Sequence, residues 1–188
     1  LSVLYGTQTG NAEMIAQDVC EAASSLGFAP KNIELDSISI ESLQDINHAL
    51  FIVSTYGVGE MPDNAQLFWE ALSASTAPRL ENLSYCVLGL GDTSYDDFCE
   101  AGKLLDMRLE QLGASRISER VDCDVEYEDP ANAWISSVLE SLKGDSTEGI
   151  TDILDAPRAL ENKKALWTRK NPYQAKIQEN SLLTTRDS

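Results

Sequence analysis

Residues 6–12, GTQTGNA, set two glycines, two threonines and an asparagine directly before a helical pattern that begins at Asn11. Such a turn presents several backbone N–H groups and hydroxyls to one spot, with a helix N-terminus behind it. That is the chemistry of a phosphate cradle, with Thr7, Gln8, Thr9, Gly10, Asn11 and Ala12 as its candidate donors. No Lys or Arg stands among them. A nucleoside-triphosphate loop, which needs a lysine followed by Ser or Thr at the helix start, is therefore excluded, and so is the dinucleotide fingerprint G-x-G-x-x-G. Neutral donors and a helix dipole suffice for a phosphate monoester. Taken alone, the glycines could also be explained by turn chemistry.

Two further stretches carry candidate ligand groups. STYGVGEMPDN (54–64) follows an apolar run and offers Ser54, Thr55, Tyr56 and Gly57, an aromatic ring beside flexible backbone. A tyrosine there would also simply cover a sheet edge. LGDTSYDDFC (90–99) follows a second apolar run and offers Leu90, Gly91, Asp92, Thr93, Ser94, Tyr95, Asp96, Asp97, Phe98 and Cys99. By residue type, Phe98 reads as packing rather than ring contact. Two tyrosines on loops from neighbouring strands, flanking a phosphate cradle, suit a flat aromatic ring carrying a polar chain and a phosphate. The conjunction describes flavin mononucleotide, FMN.

The elements that must position these loops alternate. Strands are predicted at 1–5, 31–35, 49–54, 85–90 and roughly 115–121, and helices at 11–26, 64–74, 99–112 and 129–142, with a short helix or turn in 37–47. In the first helix Ala12, Ile15, Ala16, Val19, Ala23 and Leu26 recur at three- and four-residue steps, and Gly27 follows as a stop. Unbroken apolar runs such as FIV (51–53) and CVL (86–88) are those of central strands buried on both faces. The fold class is α/β: a five-stranded parallel sheet, doubly wound in the order 2-1-3-4-5, with helices on both faces. That order places ligands at the carboxyl ends of strands one and three. Its domain is predicted to span 1–143. Residues 144–166 read as a polar linker with a helical turn near 158–166, and 167–188 as the start of another domain, opening with one strand.

The chain has 188 residues and a net charge of −17. Residues 1–143 carry 7 Lys/Arg against 24 Asp/Glu, and the remaining 45 residues carry 7 of each, so all of the charge lies on the first part. Such acidity repels nucleic acid and anionic membranes and suits either a basic partner or simple solubility. Four irregularly spaced cysteines without a C-x-x-C point to a reducing, cytoplasmic setting. His48 is the only histidine, so no zinc ligand set exists; it sits on the approach to a strand. No membrane segment or signal peptide is visible. Leu1 already lies in a strand-like run, as in a chain trimmed at its start.

YGTQTGNAE, STYGVGEMPDNAQLFW and LGLGDTSYDDFCEAGKLLD together resemble the flavodoxin-like FMN-binding domain of the diflavin reductases, over most of 1–143. This family includes cytochrome reductases, methionine synthase reductase and the sulfite reductase flavoprotein. RKNPYQAKIQEN resembles the first strand of the family's FAD-binding domain. SYDDFCEAGKLLD and RVDCDVEYEDPANAW are most similar to the sulfite reductase branch, where cysteine is usual at position 99, whereas STYG is closer to the cytochrome reductase form. Ala12 stands where many short flavodoxins have threonine. The resemblance implies that 7–12 bind phosphate, that Tyr56 and Tyr95 cover the ring faces, and that 54–57 and 90–99 hold ring and ribityl chain. It implies no catalytic acid, base or nucleophile, and no metal. It further implies FAD and NADPH in domains beyond this chain, docking to them, and a haem-protein acceptor such as sulfite reductase haemoprotein. Asp92, Asp96, Asp97 and the acids of 122–129 either disfavour negative charge on a reduced flavin or are solvated surface. A phospho-acceptor signalling domain shares the strand order but needs acids where Gly6-Thr7-Gln8 and Ser54-Thr55 stand. A stand-alone flavodoxin has no use for the segment after Lys143.

Overall fold

In the structure of the protein, a computed structural model, residues 1–145 are described. A parallel sheet is built from β1 (Ser2–Gly6), β2 (Lys31–Glu34), β3 (His48–Ser54), β4 (Ser84–Leu90), β5 (Ser115–Arg116) and β6 (Val121–Cys123). Its order is β2-β1-β3-β4-β5, with β6 also pairing β4. The helices are α1 (Asn11–Ser25), α2 (Gln66–Ser73), α3 (Glu100–Gln111) and α4 (Glu128–Asp145). The predicted doubly wound arrangement is the observed one.

Alternation along the central strands divides the core. Leu4, Phe51, Val53, Tyr85 and Val87 point to one face, under α2 and α3. Val3, Leu50, Ile52, Cys86 and Leu88 point to the other, under α1 and α4. The apolar stripe of α1 (Ala12, Ile15, Ala16, Val19, Ala23) is buried there. α1 ends where Gly27, at φ 89°, lets its own N–H reach Ser24 O and the Phe28 N–H reach Ala23 O. α3 ends the same way at Gly113, with Gly113 N–H on Glu110 O and Ala114 N–H on Leu109 O. Segment 37–47 contains a 3-10 turn at Ile40–Asp45, preceded by another at Leu35–Ser37.

The fifth strand departs from expectation. Instead of one run over 115–121 there are two short pieces. Arg116 pairs with Tyr85 and Val121 with Leu88, so β4 advances three residues while its neighbour advances five. Two extra residues bulge out. The cause lies in side chains: Arg116 and Arg120 both grip Asp106 of α3, at 2.8 and 2.9 Å. In an unbroken strand these two residues would stand about 13 Å apart. Arg116 also binds Glu110, and Arg120 binds Asp122. Tyr85 Oη completes the cluster by donating to Asp106, and burial pushes its phenol well above the ordinary value. The bulged Ser118 lies against the Cys86 thiol, which also accepts the indole N–H of Trp134.

α4 is longer than predicted and runs through Gly144 and Asp145, the first two residues of the predicted linker. The rest of that linker, the helical turn at 158–166 and the strand of 167–188 lie outside the described residues.

Candidate functional site

Four loops leave the carboxyl ends of β1, β3, β4 and β6 along one edge of the sheet. The first, 7–10, turns into α1 through Gly10, whose φ of 93° only glycine adopts without strain. Thr7 Oγ1 accepts the Gly10 N–H at 2.9 Å, and Gly10 O accepts the Met14 N–H as the first helical bond. The backbone N–H groups of Gln8, Thr9, Asn11 and Ala12 have no protein acceptor among the described residues. Neither does the Thr9 hydroxyl. This set of free donors sits at a helix N-terminus, while the Ala12 methyl is fully buried beneath it. Gly6 cannot be larger, because a Cβ there would lie 2.8 Å from that of Ala65.

The second loop folds back on itself. Tyr56 and Glu60 exchange backbone hydrogen bonds of 2.9 and 2.8 Å around Gly57 and Gly59, both at positive φ. Its base is fixed by the Thr55 N–H on Leu90 O and by Thr55 Oγ1 accepting the Ala101 N–H. Ser54 Oγ donates to Gly6 O, joining this loop to the first. The tip leans on the third loop, since a Cβ at Gly59 would come within 3.0 Å of the Asp97 Cβ.

The third loop begins at Gly91, whose Cα lies against the Cys99 backbone and thiol. Asp92 caps it by accepting the Ser94 N–H on its carboxylate and the Tyr95 N–H on its carbonyl. Thr93 is clasped from the fourth loop: its N–H and hydroxyl both donate to the Asp124 carboxylate. These bonds and the Val125 N–H hold that carboxyl below its usual range. A 230 Å³ hollow lies between Val58 and residues 94–97. Phe98 is half-buried with the Lys103 ammonium over its ring.

Tyr56 and Tyr95, one from each of these loops, are 48% and 62% exposed, and Val58 is 78% exposed. Large apolar groups left bare on neighbouring loops are the surface that a ligand would cover. Cys99, by contrast, is fully buried at the start of α3. Its φ of 54° is the only positive value outside glycine among the described residues. A helix N-terminus ordinarily favours a thiolate, but here burial prevails and pushes the thiol up to about 12. It donates to Cys123 O, so its place is under the loop as support. Burial pushes Cys123 up to about 11. Neither thiol is a nucleophile at neutral pH.

No basic residue occurs in 6–12, 54–65, 90–99 or 122–130, whereas Glu60, Asp63, Asp92, Asp96, Asp97, Asp122, Asp124, Glu126, Glu128 and Asp129 all do. The charged residues of these four segments are all acidic. No group of residues suited to hold a metal, and no helix long and apolar enough to cross a membrane, occurs among the described residues.

Sequence reasoning passed over Asn64, Glu34 and the specific role of Asp124. Asn64 donates to Glu34 and accepts from Thr7. The PDN triplet was visible, but its partners lie 57 and 30 residues away, and no local pattern announces them.

An arrangement of free N–H donors at a helix N-terminus and two bare tyrosines on the switch-point loops of a 2-1-3-4-5 sheet fits an FMN-binding flavodoxin-like domain. The flavodoxin family profile matches residues 3–134, and the chain belongs to that family. Flavodoxin domains bind FMN, and the free donors and exposed rings described above fit it. Solved relatives include a Streptococcus pneumonia TIGR4 flavodoxin, with TM-score 0.68 and 30% identity over 77% of this chain and 97% of that one. A flavodoxin from Pseudomonas aeruginosa gives TM-score 0.67 and 29% identity over 76% and 98%. Among curated proteins, the sulfite reductase [NADPH] flavoprotein alpha-component of Bacillus subtilis is 41% identical across the whole of this chain. Its namesake from Vibrio vulnificus is 38% identical. The chain spans 31% of the length of each.

Proposed function

We propose that this chain is the FMN-carrying electron-transfer module of an NADPH-dependent diflavin oxidoreductase. In this reading electrons pass from NADPH through FAD to this domain and on to a haem-protein acceptor, sulfite reductase haemoprotein, so that sulfite is reduced to sulfide in the cytoplasm. The observation that carries it is the cation-free set of N–H donors of Gln8, Thr9, Asn11 and Ala12 on the same sheet edge as two bare tyrosines. The likeness to sulfite reductase flavoproteins supports the finer reading, because it extends through 144–188, residues that a stand-alone flavodoxin would not need.

When bound, FMN supplies a ring that takes up and gives back electrons. The chain supplies position. Free N–H groups and the Thr9 hydroxyl bind the phosphate, aided by the α1 dipole. Tyr56 and Tyr95 shield the ring from water, and the backbones of 54–57 and 90–97 hold its polar edge and ribityl chain. The acids around them bias the site against added negative charge. No side chain exchanges a proton in a covalent step.

The test is titration of the apo-protein with FMN. One FMN binds per chain, and Thr9→Ala weakens it by about 1.5–3 kcal/mol through loss of a donor to a charged acceptor. Equal affinity in both proteins would remove the phosphate assignment. The finer reading is checked by stopped-flow reduction of sulfite reductase haemoprotein by the reduced module, where absence of transfer points to a different acceptor.

A further inference from the structure

The phosphate-cradle loop is tied at its start to a turn from a different part of the chain. Thr7 gives its N–H to Asn64 Oδ1 at 2.7 Å, and Asn64 Nδ2 donates to Glu34 Oε1, also at 2.7 Å. One residue on, Gln8 Nε2 donates to Asp63 Oδ2 at 3.1 Å, and the Asp63 N–H returns to Gln8 Oε1 at 3.2 Å. Gly6 abuts Ala65 on the same turn. The turn is itself anchored to the end of β2 and the residues after it: Glu34 binds Asn64, and Asp36 accepts the Phe68 N–H at 2.9 Å.

An amide suits position 64 because it must accept from a backbone N–H and donate to a carboxylate at the same time. Glu34 can only accept, so it turns the Nδ2 side of Asn64 toward itself and the Oδ1 side toward Thr7. The result takes the Thr7 N–H out of the donor set and fixes the peptide from which the loop starts. The Thr7 hydroxyl then holds Gly10 at the other end. Between these two ties the loop's remaining donors stay free.

We infer that Asn64, oriented by Glu34, is a positioning residue that gives the cradle its selectivity for a phosphate-bearing flavin over an unphosphorylated one. This rests on the FMN reading above. Asn64 need not touch the ligand; it acts through Thr7. A tie that only stabilised the fold would affect every flavin equally, so the ratio of FMN to riboflavin affinity separates the two roles.

The experiment titrates the apo-protein with FMN and with riboflavin, in wild type, Asn64→Ala, Asn64→Asp and the double variant Asn64→Asp/Glu34→Gln. In Asn64→Ala, FMN affinity is expected to fall about tenfold or more, with riboflavin affinity within twofold of wild type. Asn64→Asp keeps the acceptor for Thr7 but sets a second carboxylate against Glu34, and its ratio falls as well. In the double variant the amide introduced at position 34 donates to the carboxylate introduced at position 64, and part of the ratio lost in Asn64→Asp returns. Because this comparison is between two variants that keep a polar side chain at 64, it holds even where Asn64→Ala folds poorly. A ratio unchanged in Asn64→Ala and Asn64→Asp, or no recovery in the double variant, overturns the inference. A wild type that binds riboflavin as tightly as FMN overturns the phosphate reading itself, and the inference with it.

Discussion

At the scale of single residues, the candidate site is held by bonds between side chains and backbone of different loops. Asp124 is the clearest case, since its carboxylate closes the third loop through Thr93. Its folded-state pKa is depressed, first by the Thr93 hydroxyl. The clasp is therefore at full strength above the unfolded value near 3.8 and is lost as pH falls through the lower folded value. Thr93→Val removes that leading cause, so the Asp124 carboxyl should titrate at higher pH in the variant, read by carboxyl-carbon NMR. An unmoved titration would mean that Thr93 does not clasp Asp124 in solution. Tyr95 makes a second prediction. Stacking on the flavin quenches its emission, so Tyr95→Ala should brighten bound FMN or lose it, as measured by fluorescence during titration. Wild-type-like emission in both Tyr95→Ala and Tyr56→Ala would refute the sandwich.

At the scale of elements, close approaches decide the geometry. Gly102 of α3 lies on Gly89 of β4, and a Cβ at 102 would stand 3.0 Å from the Gly89 Cα. Gly102→Ala should push the helix off the sheet and cost about 1–3 kcal/mol, measured by chemical denaturation; a gain in stability from the higher helix propensity of alanine would show that the contact yields. Helix α3 starts directly after Cys99, which ends the third loop, so the same shift should also weaken FMN binding. Much of this layer was readable in the sequence. Buried runs such as FIV and CVL carry strand and burial in the same letters, and the stripe of α1 carries its own period. The broken fifth strand was not readable, because its cause is a meeting of Arg116, Arg120 and Asp106 in space. Gly144 misled in the opposite direction, since glycine as a stop is a tendency that α4 overrides. In the candidate site, the three loops at the strand ends were legible from composition alone. The struts behind them were not: Asn64 to Glu34 and Thr93 to Asp124 are pairings between polar residues that look like ordinary loop.

At the scale of the whole molecule, the acidic edge surrounds the two bare tyrosines. A partner that docks there should be basic, and long-range attraction then speeds encounter. With the field screened to about 8 Å at physiological ionic strength, the rate of reduction of the acceptor should fall as salt rises. Neutralising Asp96 and Asp97 should lower that rate more than it changes FMN affinity. A rate flat in salt and indifferent to the substitutions would leave the acidity as solubility alone.

The cation-free cradle has a consequence for handling the protein. With no lysine or arginine within 6–12 to form an ion pair, the proposed phosphate site relies on neutral donors and the α1 dipole, and the phosphate meets a chain of net charge −17. Raising ionic strength screens that repulsion, which sums over the whole chain, more than the dipole, which acts within one turn, so the cofactor should be retained more firmly in concentrated salt, and riboflavin, lacking the phosphate, should be indifferent. A high-salt wash of a complex on a resin would then elute the module with its flavin and leave the partner behind. Exhaustive dialysis into dilute buffer would be the gentle route to the apo-protein.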